Sequence, residues 1–262
     1  MKIHLIAIDL DGTLLDKHHQ VSLRATEIFL ALEKRGHIIV LATGRMHQSA
    51  SRFASQLHLQ SPIISYNGSL VRPNNEVDWL NLCLHTTNSA EIVDYCSDHD
   101  LHLNYYLQDR LYIAKRTQWA DFYQRQTGSE INVIGTLKKF DGSSPTKLIL
   151  IDTPALTDQL LSEFQAKFGD QVYVTKTNPE YLEFMNPAAN KGAALALVAE
   201  KLGISRADTI AIGDAHNDLP MIRWAGIGIA MGNADSEVQS AAKRVIGKND
   251  EDGLAKYLEE LI

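Results

Sequence analysis

Apolar residues near the N-terminus form short blocks that alternate with amphipathic stretches. Residues 3–8 and 38–42 are nearly continuous apolar runs, as in parallel strands that are covered on both faces. Residues 22–35, between them, place apolar side chains at helical spacing. A helix after Arg45 and a short strand at 63–64 continue the series. This alternation predicts a doubly wound, Rossmann-like α/β fold with a parallel sheet.

The middle of the chain has a different pattern. Beyond Leu84, a helix is predicted to begin with Asn88 and Glu91 as a capping box. The apolar segments 103–107 and 111–114 follow each other closely, which predicts adjacent strands of an antiparallel sheet packed with helices. We therefore interpret the middle of the chain as an inserted α+β domain.

The α/β pattern resumes near the C-terminus, with a helix predicted at 191–202 and strands predicted at 209–212, 226–230 and 245–246. Both ends of the chain are therefore expected to build one sheet. The predicted domains are a core formed by residues 1–84 and 185–262, and an insert formed by residues 85–184.

Composition and charge exclude several classes of function. The formal net charge of −7 over 262 residues argues against general nucleic-acid binding and against a polybasic membrane contact. The two cysteines, Cys83 and Cys96, have no metal-ligand spacing and are typical of a reducing compartment. We see no targeting segment and no apolar run long enough for a membrane helix, so we expect a cytoplasmic protein.

Two aspartates mark the end of the first predicted strand, in Asp9-Leu10-Asp11-Gly12-Thr13. Ligands of open α/β sheets bind beyond the carboxyl ends of the strands. Gly12 permits a turn that would point both carboxylates into one space, where one could attack and the other could move protons. The alternative is a solvated turn, since Asp and Gly are common turn residues.

The second strand ends in another group of residues suited to an anionic ligand. Thr43 offers a hydroxyl, and Gly44 lets the backbone approach a ligand closely. Arg45 offers a guanidinium that can bind a phosphate or a carboxylate through two hydrogen bonds.

A late strand places more carboxylates at the same predicted edge. It ends at Asp214, and Asp218 lies one short turn further. Converging carboxylates stay ionised at neutral pH only with a cation among them, and all-oxygen ligands favour Mg²⁺. Lys191, at the start of a predicted helix, could add a positive charge, although a lysine in that position is usually a surface residue.

These motifs together resemble the haloacid dehalogenase-like hydrolase superfamily and, within it, the Cof-type phosphatases. The resemblance spans the whole chain. The matching segments are Asp9-Leu10-Asp11-Gly12-Thr13, Ala42-Thr43-Gly44-Arg45, Tyr66-Asn67-Gly68, Asn190-Lys191-Gly192, Gly213-Asp214-Ala215-His216-Asn217-Asp218 and Ala230-Met231-Gly232-Asn233-Ala234.

The resemblance implies a catalytic and metal-binding role for four aspartates. Asp9 would be the nucleophile that forms an aspartyl-phosphate, and Asp11 would protonate the leaving alkoxide and then activate water. Asp9, the backbone carbonyl of Asp11, and Asp214 would hold Mg²⁺, with Asp218 completing its surroundings.

The resemblance also implies a substrate site, and Thr43 and Lys191 would bind the phosphoryl oxygens there. The predicted substrate-binding residues are Thr43, Gly44, Arg45, Asn67, Lys191 and Asn217. Arg45 has the alternative of pairing with a local carboxylate, and Asn67 that of serving a turn with Gly68. The insert corresponds to a cap that excludes water and selects the leaving group.

Two details depart from the family pattern. Ala189 and Asn190 stand where Val and Ser are more common, which affects the loop before Lys191. His216 lies within the fourth motif, at a position where the family varies. We interpret it either as a loop residue facing solvent or as a proton carrier.

The expected function is a magnesium-dependent phosphatase that acts on small phosphomonoesters, with sugar phosphates as the expected class. One alternative is a phosphotransferase or phosphomutase, which uses the same aspartyl-phosphate. Another is a non-catalytic sugar-phosphate sensor. The intact Asp9, Asp11, Lys191 and Asp214 argue against the sensor. A monomer or weak homo-oligomer is expected.

Overall fold

The structure, a computed structural model, describes residues 3–74 and 77–262. The chain divides into two compact units. We call Met1–Leu80 with Asn190–Ile262 the core unit, and Asn81–Ala189 the inserted unit.

The elements are labelled in chain order. The strands are β1 (Leu5–Ile8), β2 (Ile38–Leu41), β3 (Ile63–Ser65), β4 (Leu70–Arg72), β5 (Leu80–Asn81), β6 (His102–Leu107), β7 (Arg110–Ile113), β8 (Ile131–Val133), β9 (Lys147–Ile151), β10 (Tyr173–Asn178), β11 (Tyr181–Met185), β12 (Thr209–Gly213), β13 (Ile227–Ala230) and β14 (Arg244–Val245). The α-helices are α1 (Leu23–Lys34), α2 (His47–Gln56), α3 (Thr86–Asp98), α4 (Gln118–Thr127), α5 (Pro154–Phe168), α6 (Lys191–Lys201), α7 (Leu219–Trp224), α8 (Ser236–Ala241) and α9 (Gly253–Glu259).

The core unit contains a five-stranded sheet in the order β14-β13-β12-β1-β2. All of its neighbouring strands are parallel. Ile8, the last residue of β1, lies beside Leu41 of β2 and Ile212 of β12. The loops that follow these three strands therefore emerge at one edge of the sheet. The predicted doubly wound parallel fold is confirmed.

Both faces of this sheet are covered, which explains the continuous apolar runs in the sequence. Ile6 and Ile8 belong to an apolar cluster that includes residues of α1, α2 and α9. Leu5 and Ala7, which alternate with them, belong to a second cluster with residues of α6 and α7. The loop after β1 is therefore anchored by a strand that is packed on both faces.

The inserted unit is an α+β structure around a six-stranded sheet, in the order β10-β11-β9-β6-β7-β8. Residues of α3 and α5 form an apolar cluster with one face of that sheet. The sequence predicted an antiparallel sheet, and the β7–β8 pair departs from this because it is parallel. The helix α4 connects these two strands, and parallel neighbours require a crossover of this kind.

The predicted capping box at Asn88 and Glu91 is wrong. The helix α3 begins earlier, at Thr86, with His85 as its N-cap. The His85 side chain accepts a hydrogen bond from the backbone N–H of Thr87. Asn88 is therefore a buried residue inside the first turn.

Candidate active site

The two predicted carboxylates at the end of β1 have different surroundings. Asp9 is buried, with 5% of its surface exposed, whereas Asp11 is exposed. The chain turns back immediately, because Leu14 and Leu15 donate backbone hydrogen bonds to the carbonyl of Leu10. The turn therefore separates one carboxylate inside the sheet edge from one near solvent.

Gly12 is required at the centre of this turn. Its φ of +79° lies in the left-handed region that side-chain-bearing residues rarely adopt. A Cβ atom at this position would lie 2.2 Å from Asp214 Oδ2. The glycine thus allows the loop after β1 to approach the carboxylate that follows β12.

Lys191 is fully buried rather than on the surface. Its Nζ donates to Asp9 Oδ1 and to Asp218 Oδ1, each at 2.6 Å. Burial acts to lower the pKa of Lys191, but Asp218 and Asp9 raise it above its ordinary value. The ammonium is therefore a fixed positive charge beside the Asp9 carboxylate.

The unusual residue before Lys191 has a clear local function. The Asn190 side chain accepts a hydrogen bond of 2.7 Å from the backbone N–H of Ala193 and so caps α6. Asparagine and serine are similarly effective N-caps. The departure from the family pattern at Asn190 therefore preserves the start of the helix that holds Lys191.

Three carboxylates converge beside the Lys191 ammonium. One oxygen from each of Asp9, Asp214 and Asp218 lies within 4.8 Å of the other two. Burial raises the pKa of Asp9 well above its ordinary value, and the Asp218 charge raises it further, against the effect of Lys191. Burial and the Asp218 charge also raise the pKa of Asp214 to about 6. The cluster therefore has more negative charge than Lys191 balances, as expected for a cation site.

Asp218 also holds the backbone of the loop after β12. Its Oδ2 accepts hydrogen bonds of 3.0 Å from the backbone N–H groups of Asp214 and Ala215. Its Oδ1 accepts the bond from Lys191. This carboxylate thus ties the Asp214 loop to the lysine at the start of α6.

Asp11 forms an ion pair with Arg45. Arg45 Nε donates to Asp11 Oδ2 at 2.7 Å, and Arg45 Nη2 donates to Asp11 Oδ1 at 2.5 Å. His19 Nδ1 lies 3.4 Å from the same Oδ1. Partial desolvation by the surrounding loops acts to raise the pKa of Asp11, but the Arg45 hydrogen bonds and charge hold it below its ordinary value. The alternative noted for Arg45, a local carboxylate partner, is thus present.

Thr43 and Asn67 lie on neighbouring loops of the same edge. Thr43 is buried, and its hydroxyl accepts a hydrogen bond from the backbone N–H of Arg45 at 3.1 Å. Asn67 adopts a left-handed conformation with a φ of +55°, and its side-chain oxygen accepts a bond of 2.8 Å from Asn217. A Cβ at Gly44 would lie 2.8 Å from that oxygen. These contacts bring together the loops after β2, β3 and β12.

His216 lies on the surface. The structure places its Nε2 2.9 Å from Asp235 Oδ2, and 63% of the His216 side chain is exposed. This position agrees with the interpretation of His216 as a solvent-facing loop residue. Its role as a proton carrier stays a prediction.

The sequence assigned no role to Asn233, which the structure brings to this edge. Its side chain donates to the carbonyl of Gly12 at 2.8 Å and faces Asp214 Oδ2 at 3.4 Å. The signal was available, because Asn233 lies in the loop after β13, as Asp214 lies in the loop after β12. His19 was also missed, and its distant position in a loop offered no such signal.

Within residues 3–74 and 77–262, we find no helix with both the length and the apolar character needed to cross a membrane.

Comparison with known proteins identifies the family. A model of the haloacid dehalogenase-like hydrolase family matches residues 6–258. Two Bacillus subtilis proteins are each named a 5-amino-6-(5-phospho-D-ribitylamino)uracil phosphatase. One is 30% identical, with 99% of this chain and 97% of the relative covered. The other is 31% identical, with 98% of this chain and 94% of the relative covered.

Solved structures agree with this result over the whole chain. A protein from Thermotoga maritima is 31% identical with a TM-score of 0.91, and the match covers 98% of this chain and 97% of the other. A haloacid dehalogenase-like hydrolase from Bacteroides thetaiotaomicron is 26% identical with a TM-score of 0.93, and both chains are covered completely. The resemblance read from the sequence motifs is confirmed: the chain belongs to the haloacid dehalogenase-like hydrolase family, and within it to the Cof-type phosphatases.

Proposed function

We propose that this protein is a magnesium-dependent phosphatase that hydrolyses small phosphomonoesters through an aspartyl-phosphate on Asp9. The observation that supports this most directly is the buried Lys191 ammonium, which contacts Asp9 while Asp214 and Asp218 converge on the same space. An anionic nucleophile attacks an anionic phosphoryl group only where positive charge suppresses their repulsion. The site has one fixed cation and an oxygen cluster suited to a second.

The proposed reaction has two steps that share one proton-transfer group. In the first, an Asp9 carboxylate oxygen bonds to phosphorus while the bond from phosphorus to the leaving oxygen breaks, and Asp11 donates a proton to that oxygen. In the second, Asp11 takes a proton from water as the water oxygen bonds to phosphorus. The bond from Asp9 to phosphorus breaks, which releases inorganic phosphate and restores both carboxyl groups.

The cluster fits a hard divalent cation by its donor set. We assign Asp9, Asp214 and the backbone carbonyl of Asp11 as ligands, with Asp218 completing the cluster from the buried side. Carboxylate and carbonyl oxygens suit Mg²⁺, which is commonly held by one or two carboxylates together with substrate phosphate. When bound, Mg²⁺ would neutralise negative charge on the nucleophile and on the phosphoryl oxygens.

The remaining residues of this edge would bind the substrate. We assign the phosphoryl oxygens to the Lys191 ammonium and the Thr43 hydroxyl, which are both buried. The other proposed substrate-binding residues are Gly44, Arg45, Asn67 and Asn217. Arg45 has two functions in this proposal, because it holds Asp11 before substrate binds and can turn toward the entering molecule.

We propose sugar phosphates and related polyol phosphates as the substrate class. Two Bacillus subtilis relatives are named for a phosphorylated ribityl compound, and at 30% and 31% identity they suggest the class rather than the molecule. We assign the choice of leaving group to the inserted unit, as a cap. The expected cytoplasmic location and the expected monomeric or weakly homo-oligomeric state stay predictions.

The test is release of inorganic phosphate from a panel of sugar phosphates, nucleotides and p-nitrophenyl phosphate. The wild type with Mg²⁺, the wild type with EDTA and Asp9→Asn are measured in parallel. Asp170→Asn changes an exposed aspartate of the inserted unit and serves as the control. We expect release that requires Mg²⁺, is unchanged in Asp170→Asn and is lost in Asp9→Asn. A rate for Asp9→Asn above a few per cent of the wild type would refute the nucleophile.

The phosphotransferase alternative uses the same aspartyl-phosphate, so the assay must include an acceptor. Adding sugar alcohols to the wild-type reaction distinguishes the two. Hydrolysis predicts that all phosphate appears as inorganic phosphate, whereas transfer predicts a new phosphate ester. The sensor alternative predicts binding of sugar phosphates without either product.

A further inference from the structure

We propose that Asn233 is a positioning residue for the divalent cation, because it joins the two loops that present the cation's ligands without being a ligand itself. This inference rests on the proposed magnesium-dependent function. Asn233 follows β13, one strand further along the sheet than Asp214.

The Asn233 amide contacts both ligand-bearing loops. Its Nδ2 donates to the carbonyl oxygen of Gly12 at 2.8 Å and lies 3.4 Å from Asp214 Oδ2. Gly12 follows Asp11, whose backbone carbonyl is a proposed ligand, and Asp214 is a ligand through its carboxylate. One side chain therefore sets the separation between the two loops at the point where a cation must contact both.

The orientation of this amide follows from its partners. The backbone N–H of Asn249 points at Asn233 Oδ1 at a distance of 3.1 Å, and an N–H group can only donate. The carbonyl of Gly12 can only accept, so it must face Nδ2. In a flipped amide, Nδ2 would face the N–H of Asn249, and Oδ1 would face the oxygens of Gly12 and Asp214. These contacts are repulsive, so the amide N–H groups must point toward Gly12 and Asp214.

Asp214 is held on both of its oxygens. Thr13 Oγ1 donates to Asp214 Oδ1 at 2.9 Å, and Asn233 faces Oδ2. Thr13 is buried, whereas Asn233 is exposed. Groups that orient metal ligands through such contacts typically contribute 10- to 100-fold to metal affinity. We therefore assign the orientation of the Asp214 carboxylate to Thr13 and Asn233 together.

The exposure of Asn233 makes its role separable from folding. Removing an exposed amide leaves its former partners open to water, so the cost to global stability is small. Asn249→Ala is a matched control. The Asn249 side chain donates at 2.8 Å to the carbonyl of Leu15, which lies after β1 in the same loop as Gly12. This variant removes a similar bond but leaves the backbone N–H that faces Asn233.

The experiment is calorimetric titration of the purified chain with Mg²⁺, followed by phosphate release as a function of Mg²⁺ concentration. Asn233→Ala should weaken Mg²⁺ binding about tenfold or more, whereas Asn249→Ala should stay within about twofold of the wild type. Saturating Mg²⁺ should restore most of the kcat of Asn233→Ala, with little change in the KM for the phosphomonoester. A merely structural role would not shift the Mg²⁺ affinity in this selective way.

A second pair of variants tests the other contact that orients the Asp214 carboxylate. Thr13→Val removes the hydroxyl that holds the other oxygen of Asp214 and keeps the side-chain shape. Thr13→Ser keeps the hydroxyl. We expect weakened Mg²⁺ binding in Thr13→Val and recovery in Thr13→Ser.

The outcomes separate this inference from the proposed function. If the wild type binds Mg²⁺ and releases phosphate but Asn233→Ala matches Asn249→Ala in Mg²⁺ affinity, the positioning role is overturned alone. If Asn233→Ala loses kcat at unchanged Mg²⁺ affinity, the role is again overturned. If the wild type neither binds Mg²⁺ nor releases phosphate, the proposed function fails and the inference with it.

Discussion

The Lys191 ammonium, which has no exposed surface, donates to Asp218 Oδ1 at 2.6 Å. The same ammonium also contacts Asp9, so it balances only part of the negative charge of the three clustered carboxylates. Asp218 accepts hydrogen bonds both from Lys191 and from the backbone N–H of Asp214. The ion pair between Lys191 and Asp218 and the conformation of the loop after β12 therefore depend on each other. The stability of this edge should therefore depend on the lysine and on pH together.

We expect Lys191→Met to be destabilised at neutral pH in EDTA by about 3–5 kcal/mol, the usual cost of breaking a buried ion pair. Without the ammonium, the pKa values of Asp9 and Asp214 rise further, so the folded state binds more protons than the unfolded state. The deficit should therefore shrink as the pH falls from about 7 to about 5. Urea midpoints across this range measure the effect.

Lys201→Met is the control for this variant, because it changes an exposed lysine at the other end of α6. Its urea midpoint should follow the wild type at every pH. Mg²⁺ should recover part of the stability that Lys191→Met loses. A deficit that is independent of both pH and Mg²⁺ would contradict the charge balance described for this cluster.

The raised pKa of Asp214 predicts that protons and Mg²⁺ compete for this site. Because burial and the Asp218 charge raise this pKa to about 6, the carboxyl is largely protonated below pH 6 without metal. Metal binding must then displace a proton. The apparent dissociation constant should rise by at least about tenfold per pH unit below pH 6, because Asp9, whose pKa is also raised, must release its proton as well.

Calorimetry in buffers of different ionisation enthalpy measures both the affinity and the protons released. Asp218→Asn removes the second cause of the raised Asp214 pKa, so the same transition should move to lower pH. An affinity that stays constant between pH 5 and pH 7 would show that Asp214 is ionised throughout this range.

Much of this site follows from one rule applied to the sequence. The ends of parallel strands meet at one sheet edge, and this placed Asp9, Thr43 and Asp214 together from the order of apolar runs. The structure confirms the sheet that the rule assumes, with Ile8 between Leu41 and Ile212. Local chemistry and strand order are sufficient here because strands β1, β2 and β12 are adjacent.

The burial of Lys191 could not be predicted in the same way. A lysine at the start of a helix is usually solvated, and here its partners are 182 and 27 residues away in sequence. The resemblance to the family, rather than helical periodicity, indicated its role. The prediction of where α3 begins was wrong because its N-cap is a histidine, whereas several better-known N-cap residues, Thr, Asn and Ser, follow it in the sequence.

The ion pair between Arg45 and Asp11 predicts a pH effect on turnover. Arg45 lowers the pKa of Asp11, and in the proposed mechanism a protonated Asp11 donates to the leaving oxygen. Arg45→Gln should raise this pKa and move the upper limb of the profile of kcat/KM against pH to higher pH. Arg45→Lys should give a smaller shift, because it keeps the charge but loses the paired hydrogen bonds.

The matched control is Arg24→Gln, which breaks a similar paired contact with Glu259 on the surface. It should leave the pH profile in place. The substrate should be a sugar phosphate rather than p-nitrophenyl phosphate. Its alkoxide is a poor leaving group that needs a proton, so proton donation limits the rate. An upper limb that stays fixed in both Arg45 variants would remove Asp11 from the role of general acid.

The inserted unit has a buried ion pair of its own, which predicts strong coupling between Lys147 and Glu183. Lys147 Nζ lies 2.7 Å from Glu183 Oε2, and both side chains are at most 5% exposed. Thr177 Oγ1 donates to Glu183 Oε1 at 2.7 Å. Glu183→Gln should destabilise this unit by about 3–5 kcal/mol, since the Lys147 ammonium would stay buried without a counter-charge.

The double variant Lys147→Met with Glu183→Gln tests the cause of that loss. Removing both charges should recover most of the stability, because desolvation of an ion pair offsets much of its attraction. Glu260→Gln, which breaks an exposed pair with Arg244, should leave the urea midpoint unchanged. Lys147→Met alone completes the comparison. If the losses of Lys147→Met and of Glu183→Gln simply add in the double variant, Lys147 and Glu183 do not stabilise each other.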